Sequence, residues 1–210
     1  DNGQKKITNL NEEINTIAVE NGGDNIFTVS GDGEIKKYSI KEAKEINHDY
    51  PNGPPGYTRA MMQDKSGVLW LLTSQGIIKL SKNFTNNHKK IFDVYINGIA
   101  IAKFNGNLLV GSYGKGLSHF ESKDEILWDE INRQLTPKAQ IITDILSHGS
   151  NLYIATFDGL WRYNSLKKSI NRVKLATKSS LLLNISIKNN ILYIASDEDG
   201  FYIYDLTKDV

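Results

Sequence analysis

Five copies of one motif run the length of this chain, and no other feature restricts its fold as much. Each copy opens with a short apolar strand and a turn of Gly, Asn or Asp. A second strand with a large residue near its start follows, then a small polar loop, a glycine and a third strand. The second copy reads Arg59-Ala-Met-Met-Gln-Asp-Lys-Ser-Gly67-Val-Leu-Trp70-Leu-Leu-Thr-Ser-Gln-Gly76-Ile-Ile-Lys-Leu80. The loop glycines are Gly33, Gly76, Gly116, Gly159 and Gly200, spaced by 43, 40, 43 and 41 residues. A period of roughly 40–45 residues with several short strands per unit marks the blades of a β-propeller. No blade buries both of its faces alone. Residues 1–210 therefore read as a single all-β domain, a propeller of four-stranded blades.

The two ends extend this reading. The fifth copy stops after its third strand, while Gln4–Leu10 reads as an outer strand with no blade before it. Joining Val210 to Asp1 sets Gly200 and Gly33 43 residues apart, and the five spacings then total 210. This predicts a closed five-bladed ring in which the N-terminal strand completes the last blade and no strand edge stays open. Part of a larger propeller is the other reading the repeat allows. The chain opens on Asp1 without a methionine, as expected of a mature or excised piece of something longer.

Strands can be placed blade by blade. The inner strands fall at Asn15–Val19, Thr58–Met62, Asn97–Ile101, Thr143–Leu146 and Asn184–Ile187. Second strands fall at Ile26–Val29, Val68–Leu72, Leu108–Val110, Leu152–Ala155 and Ile191–Ala195, and third strands follow the loop glycines, as in Glu34–Ser39 and Phe201–Asp205. Outer strands are expected at Lys44–His48, Lys90–Tyr95, Glu125–Glu130 and Ile170–Leu175, and no long helix is expected.

Composition removes several function classes. A formal net charge of +1 gives no global field to recruit nucleic acid. The basic stretch Lys167, Lys168, Arg172, Lys174 and Lys178 lacks the interleaved aromatics of a nucleic-acid groove. Without cysteine there is no disulfide, thiolate metal site or cysteine nucleophile. No apolar run approaches the ~18 residues of a membrane span. His48, His88, His119 and His148 show no metal-ligand spacing, and Asp197-Glu198-Asp199-Gly200 reads as a tight turn rather than a calcium loop. No metal or cofactor is expected.

The second and fourth copies resemble the two-component regulator propeller repeat. The resemblance rests on Gln63-Asp64-Lys-Ser-Gly67-Val-Leu69-Trp70-Leu-Leu-Thr73-Ser-Gln-Gly76-Ile and on Asn151-Leu-Tyr-Ile-Ala-Thr156-Phe-Asp-Gly159-Leu-Trp-Arg-Tyr163. The other copies are more degenerate, with Phe27 and Leu109 where that strand usually carries Trp or Tyr. Proteins of this family are typically periplasmic sensor regions of bacterial hybrid histidine kinases, and many sense oligosaccharides. The resemblance implies a periplasmic or extracellular bacterial sensor, and a downstream histidine kinase module in the full-length protein. The matched motif is structural, so it transfers the fold and no ligand residues. The family's sensors usually hold seven-bladed rings, and this chain shows five repeats with no kinase or spacer.

In a propeller, the loops entering each inner strand and those between second and third strands share one face. Aligning the copies puts Asn15 and Thr16, Thr58 and Arg59, Asn97 and Gly98, Thr143 and Asp144, and Asn184 at the mouth. That set mixes donors and acceptors with one cation and one carboxylate, which suits a polyhydroxylated ligand. Satisfying strand ends through buried water is the structural alternative. Tyr50 and Tyr57 flank a proline-rich connection and can offer flat faces with hydroxyl handles, or can pack on the blade below. Tyr113 and Lys115, and Phe157 with Asp158, are secondary candidates on equivalent loops. Trp70, Tyr153 and Tyr193 sit within strands, where packing between blades is expected.

Together these readings predict an extracytoplasmic sensor that binds a small polar ligand, an oligosaccharide fragment, without catalysis. Arg59 and Asp144 orient the ligand, Asn15, Asn97, Asn184 and Thr143 hydrogen-bond it, Tyr57 stacks on it and Tyr113 adds to the surface. A second copy of the chain is a further expected partner. A propeller glycosidase or lyase is an alternative. Asp144 is the one carboxylate placed at the mouth, where glycoside hydrolysis usually needs two. A protein-interaction scaffold is the other alternative, although Trp128-Asp129 lies away from the strand ends where such a scaffold carries that dipeptide.

Overall fold

The computed structural model describes residues 13–50, 57–74, 76–81, 89–92, 98–120, 125–176 and 180–208. The chain divides into two compact units, Asp1–Ile96 and Asn97–Val210.

The first unit holds two antiparallel sheets. One runs β1 (Ile14–Val19), β2 (Asn25–Ser30), β3 (Ile35–Ser39) and β4 (Lys44–Ile46), in that order across the sheet. The other runs β5 (Thr58–Gln63), β6 (Leu69–Thr73), β7 (Gly76–Leu80) and β8 (Lys89–Phe92). The two sheets share one core. Phe27, Val29 and Ile35 of the first meet Met61, Leu71 and Ile78 of the second.

The second unit holds three sheets and one helix. The third sheet comprises β9 (Gly98–Phe104), β10 (Asn107–Ser112) and β11 (Leu117–Phe120), followed by α1 (Glu125–Gln134). The fourth comprises β12 (Ile142–His148), β13 (Asn151–Thr156), β14 (Gly159–Asn164) and β15 (Ser169–Arg172). The fifth comprises β16 (Leu182–Lys188), β17 (Ile191–Ser196) and β18 (Gly200–Asp205). Each sheet is a meander of sequence neighbours, and the inner hairpins turn where the residue types allow it. Asn105 and Gly106 both take positive φ between β9 and β10, as a two-residue hairpin of matching twist requires. Asn189 and Asn190 do the same between β16 and β17.

A hydroxyl at the end of each second strand recurs through the repeat. Thr73, Ser112 and Thr156 donate to the carbonyls of Gly76, Gly116 and Gly159 at 2.9, 2.9 and 2.8 Å. Ser30 donates to Glu34 O at 3.2 Å and Ser196 to Leu181 O at 3.4 Å. All five are buried; the first four tie down the polar loop that follows, and Ser196 holds the connection entering β16 instead.

The expected strand at Glu125–Glu130 is a correction: that segment belongs to α1, so a helix occurs where none was expected. Trp128, Ile131 and Leu135 are buried at helical spacing, and the stretch lacks the alternation a half-buried strand needs. Trp128, of the Trp128-Asp129 pair, packs edge-on against Phe104 at 6.5 Å. The Asn132 side chain takes over part of the missing outer strand's work. Its Oδ1 accepts from Leu117 N at 2.8 Å and its Nδ2 donates to Leu117 O at 2.7 Å. These are the two bonds a paired strand would make to Leu117.

The outer strand expected at Lys90–Tyr95 is β8, Lys89–Phe92; residues 93–95 lie outside the described residues. So do Gln4–Leu10 and Asn97. Among the described residues the fifth sheet has three strands, and the predicted completion by Gln4–Leu10 falls outside them.

Candidate functional site

The inner strands share an irregularity that the repeat does not advertise. Each slips register by one residue near its start. Ile14 pairs with Ser30 but Thr16 with Val29; Thr58 pairs with Thr73 but Ala60 with Leu72. In the second unit, Gly98 pairs with Ser112 but Ala100 with Gly111, Ile142 with Thr156 but Asp144 with Ala155, and Leu182 with Ser196 but Asn184 with Ala195. The extra residues are Asn15, Arg59, Ile99, Thr143 and Leu183. A bulge bends its strand and re-aims side chains, and bulges gather beside functional sites.

The shared bulge corrects the alignment of the candidate residues. Sequence alone sets Thr58 and Arg59 against Thr143 and Asp144. The register sets Arg59 against Thr143 and Asn15, and Asp144 against Asn184, Ala60 and Thr16. The signal that could have shown this is the hydrophobic residue after the bulge pair: Met61, Ile145 and Ile185 are all buried or nearly so.

In the first unit, Asn15, Tyr57 and Arg59 lie where β1 and β5 begin. The Asn15 amide donates weakly to Ser30 O at 3.5 Å. Tyr57 is 57% exposed, and its carbonyl accepts from Ser74 N at 3.0 Å. Arg59 is half-buried beside buried Thr58. Tyr50 is different. It is buried, meets Phe27 edge-on at 5.3 Å, donates its hydroxyl to Gly67 O and accepts from Gln63 Nε2 at 2.9 Å. Packing on the blade below is its role.

In the second unit, Tyr113, Thr143, Asp144 and Asn184 occupy the starts of β12 and β16 and the loop after β10. The Thr143 hydroxyl donates to Leu182 O at 2.7 Å. The Asp144 carboxylate accepts from Ile145 N at 2.8 Å and Ile185 N at 2.9 Å, one on each oxygen. Two adjacent side chains of β12 thus fasten it to β16. Burial pushes the Asp144 carboxyl up to about 6, against the opposing pull of the two N–H donors. Asn184 is exposed on the strand so fastened.

Tyr113 is 51% exposed, and its ring meets Phe157 edge-on, with centroids 5.6 Å apart and planes at 86°. The backbone fixes both. Gly114 N and Gly116 N both donate to Gln140 O, at 3.1 and 3.0 Å, and Tyr113 bridges to Ile141. Phe157 N donates to Ile141 O at 3.1 Å, while its own carbonyl accepts from Ser180 Oγ at 3.1 Å. Ile141 is two residues before Thr143, so the aromatic corner stands at the threshold of β12. Asp158, next along, accepts from Thr136 Oγ1 at 2.8 Å and faces Arg172 at 3.3 Å. The sequence singled out Tyr113, and Phe157 with Asp158; their meeting, and the parts of Thr136 and of Arg172 at the end of β15, come from long-range placement that no local motif encodes.

Carboxylates are spoken for elsewhere too. Asp64 is buried, and its Oδ1 accepts from Ser66 N, Ser66 Oγ and Val68 N at 2.9, 2.5 and 3.1 Å. Its Oδ2 accepts from Trp70 Nε1 at 2.9 Å. Trp70 and Tyr153 are buried in their strands. Among the described residues, no three His, Asp or Glu side chains gather to hold a metal ion. Among them, too, no helix is long and apolar enough to cross a membrane.

The fold is that of β-propellers. The chain is similar to the extracellular domain of BT4673 from B. thetaiotaomicron, with TM-score 0.64 and 20% identity over 99% of this chain and 30% of that one. It is similar to the extracellular domain assigned to the hybrid two component system BT3049 of the same organism, with TM-score 0.63 and 18% identity over 94% of this chain and 28% of that one. The β-propeller domain of Cps50 (Swd1) from Myceliophteria thermophila aligns with TM-score 0.64 and 11% identity, over 94% of this chain and 68% of that one. The chain thus spans less than a third of the two bacterial extracellular domains. No family model matches the chain, and no curated protein does.

Proposed function

We propose that this chain is a ligand-recognising part of an extracytoplasmic sensor of the two-component type, and that its five sheets serve as blades of one propeller domain. It binds a small polar ligand, a carbohydrate fragment, and releases it unchanged. The observation that carries this reading is the Tyr113–Phe157 corner. An exposed tyrosine is held by a perpendicular ring and by backbone bonds on both loops, so little entropy is lost when it stacks on a ligand. The likeness to extracellular domains of bacterial signalling systems supports the sensor role.

In the second unit, Tyr113 provides the stacking face and Asn184 the adjustable hydrogen bonds. Thr143 and Asp144 position β12 against β16, with both carboxylate oxygens already engaged by backbone donors. That engagement suits a positioning group better than an acid or nucleophile. Tyr57, Arg59 and Asn15 offer a separate set of contacts in the first unit. Ligand binding shifts the population of two arrangements of the sensor, and a downstream histidine kinase module reads that shift.

A thermal-shift screen against an oligosaccharide panel, with product analysis of each hit, tests the reading. A ligand that binds the folded state raises the melting temperature by mass action. A stabilising sugar recovered intact supports it. A hit recovered cleaved, or no hit across the panel, overturns it.

A further inference from the structure

Five Asn-Gly pairs occur in the sequence, and two of them, Asn21-Gly22 and Asn105-Gly106, lie wholly among the described residues. An asparagine before a glycine carries a latent reaction. The glycine backbone nitrogen can attack the side-chain carbonyl carbon, because no Cβ on the glycine obstructs the approach. In a folded chain the attack needs an amide free to swing over its own backbone. It also needs a local backbone that can open.

The two asparagines are both exposed, but only one is held. Asn21 sits in the turn after β1 and is fastened to the neighbouring sheet. Its backbone N–H donates to Gln63 Oε1 at 2.8 Å, and its side-chain Nδ2 donates to Asp64 O at 2.5 Å. Asn105 and Gly106 form the tip of the hairpin that Phe104 and Asn107 close. Among the described residues the Asn105 side chain and the Gly106 N–H have no hydrogen-bond partner. The Asn105 carbonyl accepts one long bond, from Asn107 Nδ2 at 3.4 Å. Space around the tip is open, since a Cβ on Gly106 would meet nothing within 4 Å. Asn105 has φ +48°, in the left-handed region, which a residue other than glycine leaves at little cost.

We infer that Asn105 is a site of spontaneous deamidation, and that Asn21 is held back from the same reaction by its bonds to the next sheet. The Gly106 nitrogen gives up its proton to base and bonds to Asn105 Cγ. The bond from Cγ to Nδ2 breaks, and ammonia leaves with a proton returned from solvent. Water then reopens the five-membered succinimide at one of its two carbonyls. Breaking the new bond to Cγ leaves aspartate, and breaking the original peptide bond leaves isoaspartate. Both products carry a carboxylate where a neutral amide stood. Isoaspartate also adds a methylene to the main chain, which a two-residue turn of fixed twist does not absorb. Phe104 and Leu108 flank that turn and are buried, so the modified hairpin is loosened at the edge of the core.

Peptide mapping by mass spectrometry tests this on the protein aged in mildly alkaline buffer, once folded and once in guanidinium chloride. The mass gain of amide-to-acid conversion reports both products, and an isoaspartyl methyltransferase assay identifies isoaspartate. In the folded protein the Asn105 peptide is expected to convert several-fold faster than the Asn21 peptide. In denaturant the two are expected to convert at similar rates, because glycine follows both. Conversion of Asn21 in the folded protein as fast as Asn105, or faster, overturns the inference. So does an Asn105 that stays intact in the folded protein while the denatured chain converts it, because the hairpin itself would then be the protection. The isoaspartyl fraction, separated by ion exchange, is expected to melt below fresh protein, and equal melting temperatures overturn the loosening of the hairpin.

Discussion

The carboxylate of Asp144 in β12 accepts the backbone N–H of Ile185 in β16 at 2.9 Å, so one side chain ties the inner strands of two successive sheets. The other oxygen holds the N–H of Ile145 at 2.8 Å, at the bulge itself. Removing the acceptor leaves two half-buried donors to find water or none. Asp144→Ala is expected to lower stability by about 1–3 kcal/mol at neutral pH in chemical denaturation. An unchanged midpoint would show that the seam does not need the bond.

Protonation of the same group gives a separate outcome. Burial raises the folded-state value from 3.8 to about 6, so the folded protein holds a proton there that the unfolded chain releases. The corresponding stability is fully present below about pH 4 and is lost as pH rises through about 6. Measured against Asp144→Asn, which does not titrate, the wild-type protein should therefore gain relative stability as pH falls across that window. A difference that moves the opposite way contradicts burial as the dominant influence.

Asp64 is the most heavily used acceptor in the first unit, with four donors converging on it from one turn and from Trp70. Asp64→Ala leaves a buried indole N–H and two backbone donors without it, and should cost about 3 kcal/mol. Trp70→Phe removes only one donor together with part of the ring, so the acceptor keeps its turn bonds. In denaturation experiments the Asp64 variant should be the less stable of the two.

The helix depends on a clamp that tolerates little change. Asn132 both accepts from and donates to Leu117, so Asn132→Asp keeps the acceptor and sets a charge against Leu117 O. A loss of about 1–3 kcal/mol is expected. Gly116 faces the same amide, and a Cβ there would collide with Asn132 Oδ1; its φ of +69° adds strain for any other residue. Gly116→Ala should therefore also destabilise, and its effect should shrink in an Asn132→Ala background.

Another close approach of a glycine holds the third sheet to the fourth. A Cβ on Gly111 would lie 2.5 Å from Ile142 Cγ2. Gly111→Ala is expected to cost about 1–3 kcal/mol, because a packed seam must open. Pairing it with Ile142→Ala should give less than the sum of the single losses in a double-mutant cycle.

The repeat was legible because each glycine sits where the backbone needs positive φ and each second strand is a short, largely apolar run. Gly33, Gly76, Gly116, Gly159 and Gly200 all take positive φ, and the strands built around them follow within a residue or two. The helix was not legible because the repeat primed a strand at Glu125–Glu130, and three buried residues at helical spacing outweighed that expectation. The candidate site was legible in its members and not in its arrangement. The bulges shift Arg59 away from the place of Asp144, and a one-residue slip in register leaves no mark on spacing between glycines. The meeting of Tyr113 with Phe157 depends on two loops anchored through Gln140 and Ile141, a long-range relationship with no local signature.

Titration calorimetry of a stabilising oligosaccharide against the wild-type protein and Tyr113→Ala tests the central claim most directly. Tyr113 is half in solvent, so its removal should leave the melting temperature of the unliganded protein nearly unchanged. The account predicts an affinity loss of about tenfold or more, the scale of one lost aromatic stacking contact of roughly 1–2 kcal/mol. Equal affinity in the two proteins would contradict it and place recognition away from the Tyr113–Phe157 corner.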